Sequence, residues 1–322
     1  MNKNCSTQCP LSVLKQRAFL LSKIRAFFEE RNVLEVETPV LSSAGNTDIN
    51  IESFTAEKIN PNFSKSYLRT SPEFPLKRLL CSGIGDVFEL AKVFRKGEHS
   101  STHNCEFSLL EWYRIDFNYL DLINEVKQLM SFLSTQFKWQ VPEADKITYG
   151  QCFQIYLNID LNNITDQQLN SISHSYGYSG SFLSFDEALD FLFATQIQPQ
   201  LDADKLTFVT HYPSSQAALA QIDCEDNKTA LRFEVFYKGH ELGNGYQELT
   251  NADELLNRFE NDNSQRKLNA QQPIRIDDEL IAAMRSGMPN CSGIAMGIDR
   301  ILMVFLDKQS IQEVMPFNAL NS

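Results

Sequence analysis

The stretch that decides the fold lies near the C-terminal end and reads Gly293-Ile294-Ala295-Met296-Gly297-Ile298-Asp299-Arg300. Its first residues predict a β-strand bounded by glycines, and its last residues predict the first turn of a helix that Arg300 opens. The Arg300 guanidinium and the helix N-terminus can then bind the same phosphate. An arginine that only caps the helix towards solvent is the alternative.

Arg95 lies in the segment Phe94-Arg95-Lys96-Gly97-Glu98, between two β-like runs at residues 87–94 and 107–113. A polar loop rich in Gly, Ser and His separates these runs, so they predict an antiparallel hairpin. A guanidinium is permanently charged and matches phosphate oxygens in a planar fork. Arg95 and Arg300 on separate elements can therefore hold a nucleotide at both ends, which indicates an ATP-binding enzyme.

The bulk composition limits the class of protein. The chain has 322 residues, 43% of them hydrophobic, which suffices for one large domain or for one domain with an insertion. Its 29 Lys and Arg against 41 Asp and Glu leave a net charge of −12, which disfavours non-specific binding to nucleic acid. The 7 cysteines include no CxxC pair and indicate reduced thiols, and no apolar run is long enough to span a membrane. We therefore expect a cytoplasmic protein.

Apolar periodicity along the chain predicts both helices and strands. Helices are predicted at residues 11–31, 120–133, 251–268 and 277–285, and strands at 32–41, 206–210 and 231–237. The Asn-, Gln- and Ser-rich stretch at about 149–201 is interpreted as a helical insertion. Strands that recur without a regular βαβ alternation predict an α+β fold on an antiparallel sheet. The helix and proline-ended strand at 11–41 are typical of a dimer contact, and equally of an ordinary α-β unit.

Two glutamates, Glu241 and Glu248, flank a Gly-x-Gly segment that we interpret as a turn, with Asn244 between them. Carboxylates brought together in this way can hold Mg²⁺, which takes oxygen ligands. Solvated surface acids are the alternative. The segment Ser71-Pro72-Glu73 offers a hydroxyl and a carboxylate on a rigid turn that can receive an ammonium group, or it is an ordinary turn. Phe107 can stack on a purine, or it belongs to the core.

Taken in chain order, these segments resemble the three signature motifs of class II aminoacyl-tRNA synthetases. Residues 25–41 are similar to motif 1, residues 94–107 to motif 2 and residues 293–300 to motif 3. The segments at 103–107, 110–113 and 241–249 resemble the lysyl-tRNA synthetase branch. Motif 1 begins within the first few dozen residues, so we expect no N-terminal OB-fold for an anticodon and a single catalytic domain over residues 1–322. A catalytic domain of this kind resembles the elongation factor P β-lysine ligases.

This resemblance implies a class II synthetase-like α+β domain whose antiparallel sheet is flanked by helices. It implies an ATP- and Mg²⁺-dependent ligase that activates (R)-β-lysine, or lysine, as an adenylate. The acyl group would pass to the ε-amine of a lysine on elongation factor P, and the enzyme would be a homodimer.

A minimal synthetase that charges tRNA and a non-catalytic regulatory paralogue are the alternatives. The acidic balance and the expected absence of an anticodon domain disfavour the first. Intact Arg95, Glu241, Glu248 and Arg300 disfavour the second.

The resemblance also implies roles for the matching positions. The amino acid would be bound by Ser71, Pro72, Glu73, Tyr113, Asn244, Glu248 and Ala295. ATP would be bound by Arg95, Lys96, Gly97, Asn104, Phe107, Glu241, Leu242, Gly297 and Arg300. Arg95 at the α-phosphate and Arg300 at the γ-phosphate would be the catalytic residues, and Glu241 and Glu248 would hold Mg²⁺.

This chain departs from the synthetase pattern at Ala295, at Cys105 and at Ser100-Ser101. Ala295 stands where lysyl-tRNA synthetases have glycine, a difference tied to the acceptance of (R)-β-lysine. Cys105 replaces a proline of motif 2. Ser100-Ser101 replaces a Gly-Arg pair of the motif 2 loop, which removes a positive charge near the phosphates.

Overall fold

The computed structural model describes residues 9–57, 61–62 and 65–318, which divide into two compact units. The first unit comprises Met1–Val141 and Glu248–Ser322, and the second comprises Pro142–Gln247. The single domain over residues 1–322 stays a prediction. So does the insertion at about 149–201, whose residues all fall in the second unit.

The helices and strands alternate irregularly along the chain. The helices are α1 (Leu11–Glu29), α2 (Glu73–Cys81), α3 (Tyr119–Phe137), α4 (Tyr149–Leu157), α5 (Asp166–Ser175), α6 (Phe185–Leu192), α7 (Ala252–Leu268), α8 (Asp278–Gly287) and α9 (Ile298–Phe305). The strands are β1 (Leu34–Glu35), β2 (Leu41–Ser42), β3 (Thr55–Ala56), β4 (Ser66–Leu68), β5 (Val87–Phe94), β6 (Glu106–Ile115), β7 (Glu143–Thr148), β8 (Lys205–Pro213), β9 (Thr229–Tyr237), β10 (His240–Gln247) and β11 (Cys291–Gly297).

A mixed sheet forms the centre of the first unit. In the described part of this unit, β1 pairs parallel to β5, while β5 with β6 and β6 with β11 pair antiparallel. A smaller antiparallel sheet has the order β2-β4-β3. The register of β6 on β11 places Tyr113 opposite Gly293 and Glu111 opposite Ala295. Small residues of β11 therefore lie beside the polar residues of β6.

The two faces of this sheet differ because side chains alternate along each strand. Phe88 and Trp112 both contact Phe28 of α1, with ring centroids 4.6 and 5.3 Å from it. The neighbouring strand residues Glu111 and Tyr113 face the opposite side. Helix α1 thus packs on the apolar face, and the polar side chains of the other face are left to form a site.

The second unit has four paired strands and its own core. Strand β7 pairs parallel to β8, and β8 with β9 and β9 with β10 pair antiparallel. Thr148 and Ser184 start α4 and α6 as capping boxes. The apolar faces of these helices enter a core that contains Tyr149, Phe153 and Phe236. The helices of the Asn-, Gln- and Ser-rich stretch are therefore held by buried aromatic residues.

The predicted hairpin and the final strand and helix are confirmed. Strands β5 and β6 pair antiparallel from Val87 with Tyr113 to Phe94 with Glu106, and α9 follows β11 directly. The helices predicted at 11–31, 120–133, 251–268 and 277–285 are present as α1, α3, α7 and α8. The α+β class is confirmed, although the β1–β5 and β7–β8 pairs are parallel.

Two local predictions are wrong. The strand predicted at 32–41 forms only as β1 and β2, because Pro39 has no N–H group for a ladder and Asn32 has a φ of 55°. The Gly-x-Gly segment at 243–245 is not a turn but lies within β10, paired with β9. The turn comes earlier, at Lys238 and Gly239, which both have positive φ. Pairing with a neighbouring strand outweighs the low strand propensity of glycine.

The described residues include no helix that combines the length and the apolar character needed to cross a membrane.

Candidate active site

Helix α2 of the first unit begins at the predicted serine-proline-glutamate turn. Pro72 directly precedes the helix, where its fixed φ suits the first turn. The Ser71 hydroxyl accepts the backbone N–H of Glu73 (3.0 Å), which holds Glu73 in that turn. The same hydroxyl donates to Glu111 Oε2 on β6 (3.0 Å). The segment therefore joins the helix start to the polar face of the sheet.

Glu111 is a buried acid that connects two of the predicted substrate residues. It accepts hydrogen bonds from the hydroxyls of Ser71 (3.0 Å) and Tyr113 (2.8 Å), and it is 2% exposed. Burial raises the pKa of Glu111 to about 8, and the negative charge of Glu73 adds to the rise. The sequence analysis predicts no role for Glu111. It is the single charged residue in the otherwise apolar run 109–113, and this pattern could have identified it as a functional residue.

Lys77 of α2 links two glutamates. Its Nζ lies 2.6 Å from Glu73 Oε1 and 2.7 Å from Glu248 Oε2, and its side chain is 1% exposed. Burial favours the neutral amine, but Glu248 and Glu73 outweigh it and hold the pKa of Lys77 above its ordinary value. Burial raises the pKa of Glu248 to about 7 against the opposing charge of Lys77. We call the following residues the acidic cluster: Ser71, Glu73, Lys77, Glu111, Tyr113 and Glu248.

Gly293 allows two members of the acidic cluster to meet over the sheet. A Cβ atom at this position would lie 2.4 Å from ring carbons of Tyr113 and 2.6 Å from Glu248 Oε1. The backbone N–H of Glu248 donates to the Cys291 carbonyl (3.0 Å), which fixes Glu248 beside β11. Ala295 is the next residue of β11 on the same face, and it packs near Phe107 and Leu109. Only a glycine at position 293 leaves room for this contact.

A cavity of about 720 Å³ adjoins the acidic cluster within the first unit. Ser71 and Glu73 line it, together with Pro39, Phe74 of α2 and Ala283 of α8. A volume of this size is in the range of small-molecule sites. The acidic cluster therefore has space beside it for a ligand the size of an amino acid.

Arg95 lies directly after β5, at the start of the loop that leads to β6. Its guanidinium carbon is 5.2 Å from the centroid of the Phe107 ring, and its Nη1 is 3.6 Å from Glu98 Oε1. Lys96 and Gly97 begin the loop, and Gly97 has a φ of 85° that favours glycine. The Phe107 ring thus faces a cation, and its stacking on a purine stays a prediction.

Arg300 lies in the first turn of α9, as predicted, and Gly297 ends the strand before it. Its Nη2 is 2.6 Å from His103 Nε2, and its Nε donates to the Thr102 carbonyl (3.4 Å). Asn104 in the same loop is buried, and its side chain donates to a backbone carbonyl two residues on (2.6 Å). The structure therefore brings Arg300 to the loop between β5 and β6.

The remaining predicted residues lie in the second unit. Glu241, Leu242 and Asn244 are on β10, and Asn244 Oδ1 accepts a hydrogen bond from Arg232 Nε (3.3 Å). Glu248 directly follows β10 in sequence but belongs to the first unit, so its pairing with Glu241 around Mg²⁺ stays a prediction. Within the described residues, no group of three or more His, Cys, Asp or Glu side chains is arranged to hold a metal.

Replacing Glu111 with Gln should make stability less dependent on pH. Because the folded state raises the pKa of this carboxyl, its contribution to stability is full below the ordinary value of 4.5 and is lost as pH rises through about 8. A glutamine cannot ionise. The difference in free energy of unfolding between Glu111→Gln and wild type should rise, in favour of the variant, by roughly 1–3 kcal/mol as pH increases from 5 to 8. Urea unfolding at each pH measures this difference.

The surface substitution Glu279→Gln is the control, because the Glu279 side chain is 76% exposed. A difference between wild type and Glu111→Gln that stays constant from pH 5 to pH 8 would contradict the raised pKa of Glu111.

Known proteins match the chain over nearly its whole length. Residues 5–321 match the family model described as tRNA synthetases class II (D, K and N). The chain is 42% identical over 317 residues to the elongation factor P–(R)-beta-lysine ligase of Mannheimia succiniciproducens, with 97% of each chain covered. It is 41% identical over 316 residues to the protein of that name from Avibacterium paragallinarum, again with 97% of each chain covered. The protein of that name from Pseudoalteromonas translucida is 42% identical over 314 residues, which cover 96% of this chain and 95% of the relative.

Proposed function

Because the chain belongs to the class II tRNA synthetase family (D, K and N), and within it to the elongation factor P–(R)-β-lysine ligases, we propose that it ligates (R)-β-lysine to elongation factor P. The enzyme is an AMP-forming amino acid ligase that uses ATP. It first makes an aminoacyl-adenylate and then transfers the acyl group to the ε-amine of a lysine on its protein substrate.

The charge of the acidic cluster is the observation that carries this proposal. Its carboxylates Glu73 and Glu248 and its ammonium Lys77 leave a net charge of −1 while Glu111 holds a proton. A positively charged ligand favours ionisation of Glu111, which brings the net charge of the cluster to −2. A lysine-type amino acid carries two ammonium groups. Charges buried in a protein need partners of opposite sign, so the cluster suits a diamino acid better than an ordinary amino acid.

The first step forms the adenylate. A carboxylate oxygen of the amino acid forms a bond to the α-phosphorus of ATP, and the bond from that phosphorus to the bridging oxygen breaks to release pyrophosphate. Arg95 and Arg300 stabilise the negative charge that builds on the phosphoryl oxygens. The position of Arg300 in the first turn of α9, at the loop of motif 2, supports this role.

The second step transfers the acyl group. The ε-amine nitrogen of the acceptor lysine attacks the acyl carbon, the bond from that carbon to the AMP oxygen breaks, and the amine loses a proton. The acyl group is already activated, so the contribution of the protein here is mainly to position the two reactants. The acidic cluster contributes by holding the ammonium groups of the acyl moiety.

Glu241 and Glu248 would hold Mg²⁺ in this proposal, since carboxylate oxygens are its usual protein ligands. When bound with ATP, it would supply positive charge at the phosphates. We also propose that the enzyme is a homodimer, which rests on the likeness of residues 25–41 to motif 1.

The test is intact mass spectrometry of elongation factor P from the same organism after incubation with this protein, ATP and Mg²⁺. One tube receives (R)-β-lysine and a parallel tube receives L-lysine. We expect the mass to increase by one lysyl residue, and more of the protein to be modified with (R)-β-lysine. An unchanged mass in both tubes would overturn the proposal. Charging of tRNA in a third tube would then favour a minimal synthetase.

A further inference from the structure

Lys77 is a buried cation that the roles described above do not use directly. It lies one helical turn after Glu73 on α2, and its side chain is 1% exposed. Its Nζ contacts Glu73 Oε1 at 2.6 Å and Glu248 Oε2 at 2.7 Å. Charged groups are costly to bury, and well-packed apolar side chains in place of a whole buried ion-pair cluster often give equal or greater stability. Stability alone therefore does not account for the buried cluster of Lys77 with Glu73 and Glu248.

The two contacts of Lys77 orient the carboxylates that it bridges. Oε2 of Glu248 pairs with Lys77, so Oε1 is turned towards Gly293 and the Tyr113 ring. A Cβ atom on Gly293 would lie 2.6 Å from this Oε1. Lys77 likewise holds the carboxylate of Glu73 through its Oε1 atom. Two carboxylates that share one ammonium sit within a few ångströms of each other, and without a cation between them they repel.

We propose that Lys77 is a positioning residue of the amino acid site, whose ammonium holds the Glu73 and Glu248 carboxylates at the spacing that the ammonium groups of the substrate require. This role rests on the proposed function, since it assumes that the acidic cluster binds the amino acid. Lys77 touches neither ATP nor the reacting carboxylate in this role. Its loss should therefore weaken binding of the amino acid and spare binding of ATP.

The test compares wild type with Lys77→Met, which keeps an unbranched side chain, shorter by the terminal nitrogen, and removes the charge. Pyrophosphate exchange gives KM for (R)-β-lysine and KM for ATP separately. We expect Lys77→Met to raise KM for the amino acid at least about tenfold. This corresponds to the loss of one charge-assisted hydrogen bond between a misplaced carboxylate and an ammonium group of the substrate. KM for ATP should stay within about twofold of wild type. Lys77→Arg keeps the positive charge and should recover part of the lost affinity.

Arg266→Met is the matched control, because Arg266 is also 1% exposed and pairs with Glu52 away from the acidic cluster. It should lower stability without changing KM for the amino acid. If Lys77→Met does not fold, Lys77→Gln takes its place, since glutamine keeps hydrogen-bond donors but not the charge.

Two results would be decisive against the proposal. If the wild type exchanges pyrophosphate with (R)-β-lysine but the neutral Lys77 variants keep its KM, the positioning role is wrong and the proposed function stands. If the wild type activates no lysine-type amino acid, the proposed function fails and this role fails with it.

Discussion

Arg300→Ala should abolish adenylate formation. Arg300 lies in the first turn of α9, where its guanidinium and the helix N-terminus can both meet a phosphate of ATP. An alanine removes a charged donor from the point where negative charge builds in the transition state. Losses of such donors reduce rates by about 100- to 1,000-fold, and loss of a phosphate-binding arginine by more. We expect pyrophosphate exchange with (R)-β-lysine to fall at least about 1,000-fold.

The control for this experiment is Arg285→Ala. Arg285 is an arginine near the end of α8 whose side chain is 55% exposed and pairs with Asp253. Its removal should leave exchange at the wild-type rate. Near-normal exchange in Arg300→Ala itself would show that residues 293–300 do not serve as motif 3.

Gly293→Ala should close the amino acid site. The added Cβ would lie 2.4 Å from ring carbons of Tyr113 and 2.6 Å from Glu248 Oε1, distances that carbon and oxygen atoms do not tolerate. Tyr113 and Glu248 are both buried, so neither side chain can move aside without disturbing its hydrogen bonds or ion pair. We expect affinity for (R)-β-lysine to fall about 10- to 100-fold, since overpacking of this kind costs about 1–3 kcal/mol and about 1.4 kcal/mol corresponds to a tenfold change.

Calorimetry on folded protein separates this effect from unfolding, because binding of ATP should remain. Gly150→Ala is the matched control, since a Cβ on Gly150 of α4 meets no atom within 4 Å. It should bind the amino acid as wild type does. Wild-type affinity for (R)-β-lysine in Gly293→Ala would show that the substrate does not lie over this part of β11.

Residues whose signal is local were predictable from the sequence. Arg300 was predictable in the first turn of a helix because the apolar period changes from strand to helix at Gly297, within one short window. The hairpin of β5 and β6 was predictable because two alternating runs flank a polar loop. Strand β7 has no such signal, since most of its residues are exposed and no apolar alternation marks it. It forms through its pairing with β8.

The sequence by itself determined the α+β class, the order of the three motifs and the two arginines, because these depend on short windows and on residue type. Only the tertiary structure decided that Lys77 of α2 bridges Glu73 and Glu248, and that Glu111 of β6 holds a proton near neutral pH. Both follow from burial and from contacts between residues far apart in the chain, such as Lys77 with Glu248 and Ser71 with Glu111. Exclusion of water from the buried carboxyl of Glu111 raises its pKa.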